Sequence, residues 1–467
     1  MLSYFDLGQN KTNYSIGMSK TTISLEERQK IKDSLKATKE RRKTQIIKAF
    51  ELKVNCHHTS KETFKKLNEC FKQAKWIYND MLNFGNIEGN DIFKYEYLDH
   101  KTITRLDKNR NKINEKLDLA VVFHRAIVKQ VKTNISNLSK AKKKGLKVGA
   151  LKYVSEINSI PIITGFIKIK DKKHITIPSF KDLCVYGLDQ LDNYEDYEIA
   201  DGRLIKKASG FYVKISVCIN KNEFKSEKIG KSVGLDFGIR KNITTSDGEK
   251  FNCNVPESEQ LKFLQKQLHR KKEGSKRYYR LRNQIRREYE HLSNKKTDES
   301  NKLVHYLKTN YDVIYFQDEQ IANWKKKKRN EKTGRINNRL SFGKQIQSSY
   351  LGRVKNKLVS LEKEGKSFKI SKWKATTKLC PRCGCLNDIG DSETYTCECG
   401  YTMDRDVHAS KNILMFGSTK RAECLEQASV EELVNTSLND SRLDLQISPL
   451  KRKQESCSLK GAGSSRS

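Results

Sequence analysis

Residues 373–415 constrain this chain more than any other stretch: WKATTKLCPRCGCLNDIGDSETYTCECGYTMDRDVHASKNILM. Two close thiol pairs, Cys380/Cys383 and Cys397/Cys399, precede an acidic turn, Asp404-Arg405-Asp406, and a helical segment running on from Ala409. Thiolates are soft ligands, and two such pairs brought together by a hairpin supply the four sulfurs of a tetrahedral zinc site. The expectation is a zinc ribbon that fixes where Asp406 points, so that a structural metal stands beside a catalytic carboxylate. Cys385 is a spare thiol nearby that could replace one of the four.

The charge balance names the partner class. Lys and Arg number 93 against 56 acidic residues in 467, a formal charge of +37. That field suits a polyanion, nucleic acid first, rather than a neutral metabolite. No run approaches the ~20 apolar residues of a membrane span, and the start, MLSYFDLGQNKTNYS, lacks the basic and apolar regions of a secretory signal. Twelve cysteines, crowded toward the ribbon, fit metal binding in a reducing compartment better than a disulfide framework.

Hydrophobic periodicity divides the rest. Residues 1–45 read as a polar extension with a capping box at Ser24 and Glu27 opening a helix to Lys43. Phe50, Leu52 and Val54 alternate with charges, the first strand of a β domain (46–60). Phe64, Leu67, Phe71, Ala74, Tyr78 and Met81 recur at helical spacing and open a helical module over 61–150. Cys70 falls within that pattern, which argues against a second metal site with Cys56, His57 and His58. Strand patterns return over 151–228, with a hairpin around 166–177 and a long strand at 211–219.

SVGLDFGIRKNITTSDG, residues 232–248, follows. A short apolar strand sets Asp236 among small residues, Gly234 and Gly238 would let backbone and a phosphate come close, and residues 243–245 can return as the next strand. Residues 257–310 read as basic helix, with Arg277, Arg280, Arg282 and Arg286 able to follow a phosphate backbone. Val313-Ile314-Tyr315-Phe316 is a second apolar strand ending in Gln317-Asp318-Glu319. Alternation along a continuing strand would put Gln317 and Glu319 on one face and Asp318 on the other. Lys325, Lys326, Lys327 and Lys328 form a phosphate-contacting loop in this reading. Residues 344–358 read as one helix and 368–370 as a short strand. The segment 421–467 reads as a largely disordered tail.

Phosphodiester cleavage needs an activated water and a stabilised leaving oxygen, which two divalent ions ~4 Å apart can provide when carboxylates hold them. Asp236, Glu319 and Asp406 stand at the ends of three separated segments in a telling order: strand with Asp, basic helices, strand with Glu, zinc ribbon and Asp. That order, with Cys-Pro-x-Cys-Gly, a second pair ending Cys-Gly-Tyr, and Asp-Arg-Asp-Val-x-Ala-x-Lys-Asn-Ile-Leu, resembles the RuvC-type nuclease half of transposon-encoded TnpB proteins. It equally resembles their descendants, the miniature type V CRISPR effectors of the F subtype.

The resemblance spans residues 230–416 by motif and the upstream part by order of elements alone. It implies an α+β multidomain chain. A β-barrel-like wedge domain (46–60 and 151–228) would carry a helical recognition insertion (61–150). An RNase H-like (RuvC) domain (229–372 and 403–420) would hold an inserted zinc ribbon (373–402). It further implies an RNA-guided DNA endonuclease in the cytoplasm of a prokaryotic cell, partnered by guide RNA and target double-stranded DNA, with two Mg²⁺ or Mn²⁺ ions and one structural Zn²⁺. A homodimer on one guide is a further family expectation. Asp236 matches the family's first catalytic aspartate and Asp406 the third. Direct alignment sets Gln317 where the second carboxylate belongs, and Glu319, two positions on, is preferred over Asp318. The second thiol pair has one intervening residue where the family has two, and His408 replaces an Asn. The polar N-terminal extension and the long helical insertion favour the CRISPR-associated form. The transposon-encoded form, and a binding regulator that has lost cleavage, are the alternatives.

Overall fold

The computed structural model describes residues 24–96, 100–106, 111–224, 229–325, 328–329, 336–337, 342–390 and 392–439. Helix α1 (Leu25–Lys43) opens on the expected capping box: Ser24 Oγ accepts from the Glu27 amide and the Glu27 carboxylate accepts from the Ser24 amide, each at 3.1 Å. Strand β1 (Gln45–Val54) then leads into α2 (Lys61–Asn86), whose stripe of Leu67, Phe71, Ala74 and Met81 is buried. A hairpin, β2 (Thr102–Leu106) and β3 (Lys112–Lys116), interrupts what the sequence suggested was purely helical, and α3 (Val121–Lys143) completes the insertion.

Six strands follow: β4 (Ser159–Ile162), β5 (Lys168–Ile169), β6 (His174–Ile177), β7 (Phe180–Tyr186), β8 (Tyr197–Lys207) and β9 (Gly210–Asn220). With β1 they form one sheet in the order β4-β8-β9-β1-β7-β6-β5. The early strand therefore lies in the middle, antiparallel to β9 and β7, with the helical segment inserted between it and its partners. Its two edges, β4 and β5, do not pair, so the sheet is an open half-barrel rather than a closed barrel. Leu52, Phe71, Ile77, Phe123, Ile160 and Ile215 share one core, which ties the inserted helices to the sheet.

The second sheet carries the acidic residues. Strands β10 (Ser232–Phe237), β11 (Ile243–Thr245) and β12 (Lys250–Phe251) form an antiparallel meander, and a helical hairpin, α4 (Glu259–His269) and α5 (Lys276–Asn310), returns the chain to β13 (Val313–Gln317). A small pair, β14 (Lys328–Arg329) and β15 (Ile336–Asn337), precedes α6 (Gly343–Ser348), α7 (Leu351–Leu361) and β16 (Ser367–Ile370). The order is β12-β11-β10-β13-β16, with β10, β13 and β16 parallel. The single helix expected over 344–358 breaks because Ser349 bridges to Asn254 and the Tyr350 amide donates to the Cys253 carbonyl at 2.8 Å. One face of this sheet packs on α5 and α7 through Leu235, Phe316, Leu307 and Val354.

After the cysteine hairpin, β17 (Thr394–Thr396) and β18 (Thr402–Asp404), helix α8 (Arg405–Asn439) covers the other face, where Ile413 meets Val313, Tyr315 and Ile370. It starts at Arg405, ahead of the expected Ala409, because Asp404 caps it. It also runs through Asn439, so the segment following residue 421, expected to be disordered, begins as helix. Residues 440–467 lie outside the described residues. Among the described residues no helix is long and apolar enough to cross a membrane.

Candidate active site and metal centre

Strand alternation puts Asp236 on the same side of β10 as Gly234, the side covered by α8. A Cβ on Gly234 would lie 2.1 Å from the Ser410 carbonyl oxygen and 2.7 Å from the Leu414 amide. The glycine therefore admits the backbone of α8, not a phosphate as its spacing suggested. Gly238 likewise serves the hairpin turn: its amide donates to the Asn242 carbonyl at 3.2 Å, and a Cβ there would meet the Lys241 carbonyl at 2.6 Å. Asp236 is thus held at the sheet end nearest the start of α8. Burial first, then the neighbouring charges of Asp406 and Glu319, push its carboxyl up to about 7. Asp406 and Glu319 thus both lie near enough to Asp236 for their charges to act on it.

Asp406 lies in the first turn of α8, and a residue missed in the sequence sets it there. Asp404 Oδ1 accepts from the amides of Asp406 (3.0 Å) and Val407 (3.2 Å), which makes it the N-cap. The signal was legible: an Asp immediately before a helix is a start marker. Lys250 Nζ reaches Asp404 Oδ2 at 2.7 Å, and Lys241 Nζ lies 3.6 Å from Asp404 and 3.9 Å from Asp406. Burial alone would raise the Asp404 carboxyl, but the Lys250 hydrogen bond and the amide of Val407 outweigh it and hold the carboxyl below its usual range.

The second carboxylate requires a correction. β13 ends at Gln317, and the Glu319 amide turns back to the Gln317 carbonyl at 2.8 Å. Glu319 is therefore not on an extended strand, and the shared-face argument does not apply. It still influences Asp236 electrostatically, and burial raises its own carboxyl. Asp318 is engaged elsewhere, 2.7 Å from Lys355 Nζ, which also donates to the Glu319 carbonyl at 2.5 Å. Gln317 is buried and saturated: Nε2 donates to the carbonyls of Ser371 (3.2 Å) and Lys374 (3.0 Å), and Oε1 accepts from Thr376 Oγ1 at 3.0 Å. A carboxylate could not make the two donor bonds. Here the amide clamps the segment entering the cysteine hairpin.

The thiols form a ready site. Sγ atoms of Cys380, Cys383, Cys397 and Cys399 all lie within 4.8 Å of one another, with Cys380–Cys399 at 3.6 Å and Cys383–Cys397 at 3.5 Å. A tetrahedron with Zn–S bonds of about 2.3 Å has edges close to these separations. The amide of Cys399 helps pull the Cys397 thiol down to about 6, toward the thiolate that metal binding needs. Cys385 is exposed and lies outside this group, its carbonyl accepting from the Cys380 amide at 2.8 Å. His408 is buried against the hairpin: its ring stacks on Tyr395 at 3.7 Å and Nε2 lies 3.1 Å from Asn412 Nδ2, while that amide also holds the Thr376 and Leu379 carbonyls. Its place is the joint between hairpin and helix.

Among the described residues no carboxylate triad is as tightly gathered as the thiols. Asp236, Glu319 and Asp406 hence have at least one separation beyond 4.8 Å. Two ions ~4 Å apart would not require all three carboxylates to meet at one point. The donor set, acid oxygens with a raised Asp236, fits hard divalent cations.

Of the basic residues, Arg277, Arg280 and Arg282 are exposed on α5. Arg286 instead spans to the other sheet's approach, 3.1 Å from Glu156. Lys325 is exposed at the end of a short turn; Lys326 and Lys327 lie outside the described residues, as does the Lys328 side chain.

Two family models match, described as "Cas12f1-like, TNB domain" over residues 357–413 and "Probable transposase" over residues 215–335. The chain is 26% identical over 191 residues to a "Putative RNA-guided DNA endonuclease" of Streptomyces pristinaespiralis, covering 40% of this chain and 45% of that protein. It is 26% identical over 208 residues to a "Putative transposase" of Acanthamoeba polyphaga mimivirus, 39% of each. A "TnpB-like protein" of that virus is 54% identical over 43 residues, 9% of this chain and 8% of that one. The alignments thus span less than half of these relatives. A cryo-EM structure of a Cas12f1–sgRNA–target DNA complex superposes with a TM-score of 0.42 at 11% identity, over 79% of this chain and 99% of that one, too loose a likeness to carry an argument. On the motifs and the matched segments together, this chain is similar to TnpB-like and Cas12f1-like proteins.

Proposed function

We propose that this chain is an RNA-guided DNA endonuclease in which Asp236, Glu319 and Asp406 form one RuvC site. The observation that supports the reading is that Glu319 and Asp406, each more than eighty positions further along the chain than the acidic residue before it, both lie near enough to Asp236 to raise its carboxyl. The order β12-β11-β10-β13-β16, with Asp236 on the central strand, agrees with an RNase H-like domain. We assign residues 46–60 and 151–228 to a wedge domain, 61–150 to recognition and 373–402 to the ribbon.

Two Mg²⁺ or Mn²⁺ ions would supply the charge that activates a water and stabilises the leaving oxygen. The chain's own part is positional. Asp236, packed beneath α8, presents an oxygen that favours a cation because its neighbours are anions. Asp406 is oriented by the Asp404 cap, and the cap is held by Lys250 and the ribbon hairpin. Glu319 is braced through its carbonyl by Lys355. Zn²⁺ on Cys380, Cys383, Cys397 and Cys399 would secure the hairpin and hence the start of α8. Guide RNA and target double-stranded DNA would meet the +37 surface, with Arg277, Arg280, Arg282 and the lysines from Lys325 onward as phosphate contacts.

We favour a CRISPR effector of the miniature type V kind, acting as a homodimer on one guide in a prokaryotic cytoplasm. The transposon-encoded form differs only in guide source. Sequencing RNA that copurifies with the chain distinguishes them: repeat-derived guides support the first, a transposon-end transcript the second, and no bound RNA contradicts both. Gln317 in place of a carboxylate favours one other reading, a cleavage-inactive binder. Magnesium-dependent cutting of a guide-matched target excludes it.

A further inference from the structure

Trp373 is 83% exposed, the most exposed of the large hydrophobic side chains among the described residues. Burying an indole is worth kilocalories, so a Trp left in water at a rigid position asks for a partner. The position is rigid: Gln317 clamps the carbonyls of Ser371 and Lys374, on either side of the ring, to the end of β13. Lys372 Nζ sits 4.4 Å from the ring centroid, and Lys374 Nζ lies over Phe416 at 5.2 Å. The cleft beside it is lined by Lys369, Lys372 and Lys420 as well as Asp318. Asp318 and Gln320, on either side of Glu319 in sequence, line the same cleft. An aromatic plate, flanked by ammonium groups and fixed to the strand that neighbours Asp236, has the makeup of a stacking site for unpaired bases.

We propose that Trp373 stacks on a base of a single DNA strand, with Lys372 and Lys374 on the adjoining phosphates, and so holds that strand against the carboxylate cleft. The proposal rests on the nuclease reading and adds to it a residue that selects unpaired over duplex DNA. A base within a duplex already stacks on its neighbours and cannot also cover the ring. Gln317 is then a positioning residue for the plate as well as a clamp, which gives its amide a use in place of the carboxylate the motif would put there.

The test is photocrosslinking of the full chain to a single-stranded oligodeoxynucleotide carrying 5-iodouracil, with peptide mapping, alongside binding of normal and abasic oligonucleotides. The expected adduct is on the peptide containing residue 373, and it is lost when the same strand is annealed to its complement. Trp373→Ala should weaken single-strand binding by about five- to a hundredfold. Trp373→Phe should keep most of it, and affinity for an abasic strand should not change with either. Adducts only elsewhere, or equal losses on normal and abasic strands, would overturn the proposal. The Asp406→Asn variant separates the two claims: it should keep the crosslink while losing cleavage. If it cuts DNA as well as wild type, the nuclease reading fails whatever Trp373 does.

Discussion

Gly234 and Ser410 touch backbone to backbone: a methyl group on the glycine would sit 2.1 Å from the Ser410 carbonyl oxygen. The strand bearing Asp236 and the helix bearing Asp406 are therefore spaced by the lack of a side chain. Gly234→Ala must lift α8 or bend β10. Overpacking of this kind costs about 1–3 kcal/mol, and cleavage should fall more steeply than stability because the acidic groups move apart. Denaturant unfolding and single-turnover cleavage of the same preparation check both.

Gln317→Glu tests whether the amide or a missing carboxylate matters at that position. The substitution sets an anion against the Ser371 and Lys374 carbonyls and removes two donor bonds, a loss of roughly 2–4 kcal/mol. It should lower the midpoint of unfolding and reduce cleavage rather than enhance it. Glu319→Gln should abolish cutting with little effect on the midpoint, while Asp318→Asn should retain activity, since Asp318 serves Lys355. Stronger cutting by Gln317→Glu would show that the family's second carboxylate belongs at 317.

Metal analysis of the purified chain should find one zinc per protein. Cys397→Ser should lose it and Cys385→Ser keep it, because only the former thiol lies in the cluster. Chelation should loosen the hairpin and with it Asp404, so that cleavage does not return on adding Mg²⁺ alone.

A raised Asp236 makes the metal-free chain pH-sensitive. A carboxyl whose native value, about 7, lies above its unfolded one stabilises the fold below about pH 4 and loses that contribution as pH rises through 7. Metal-free protein should thus be less stable at pH 8 than at pH 6, by about 1.4 kcal/mol from this group. Asp236→Asn should flatten the dependence, and divalent ions should restore wild-type stability at pH 8. Thermal scans with and without Mg²⁺ across that window measure it.

What could be read in advance follows the range of the interactions. The Ser24 cap, the β10–β11 hairpin and the four thiols are set by neighbours in sequence, and they are where the pattern put them. Asp404 followed the same local rule but was passed over for Asp406. The roles of Gly234 and Gln317 depend on a helix and a loop that arrive much later in the chain. The break at Ser349 depends on Asn254 and Cys253, nearly a hundred residues away. None of these leaves a periodicity to find. The strand-face argument for Glu319 failed for a simpler reason: the strand stops at Gln317, and alternation ends with it.

The central claim is that Asp236, Glu319 and Asp406 act together on a phosphodiester. The direct measurement is magnesium-dependent cleavage of a guide-matched DNA by the RNA-bound chain, compared with Asp236→Asn and Asp406→Asn variants that bind the same RNA. The account predicts cutting by the wild type and a loss of at least about a thousandfold in each variant. Cleavage persisting in either variant, with RNA binding equal, would contradict it.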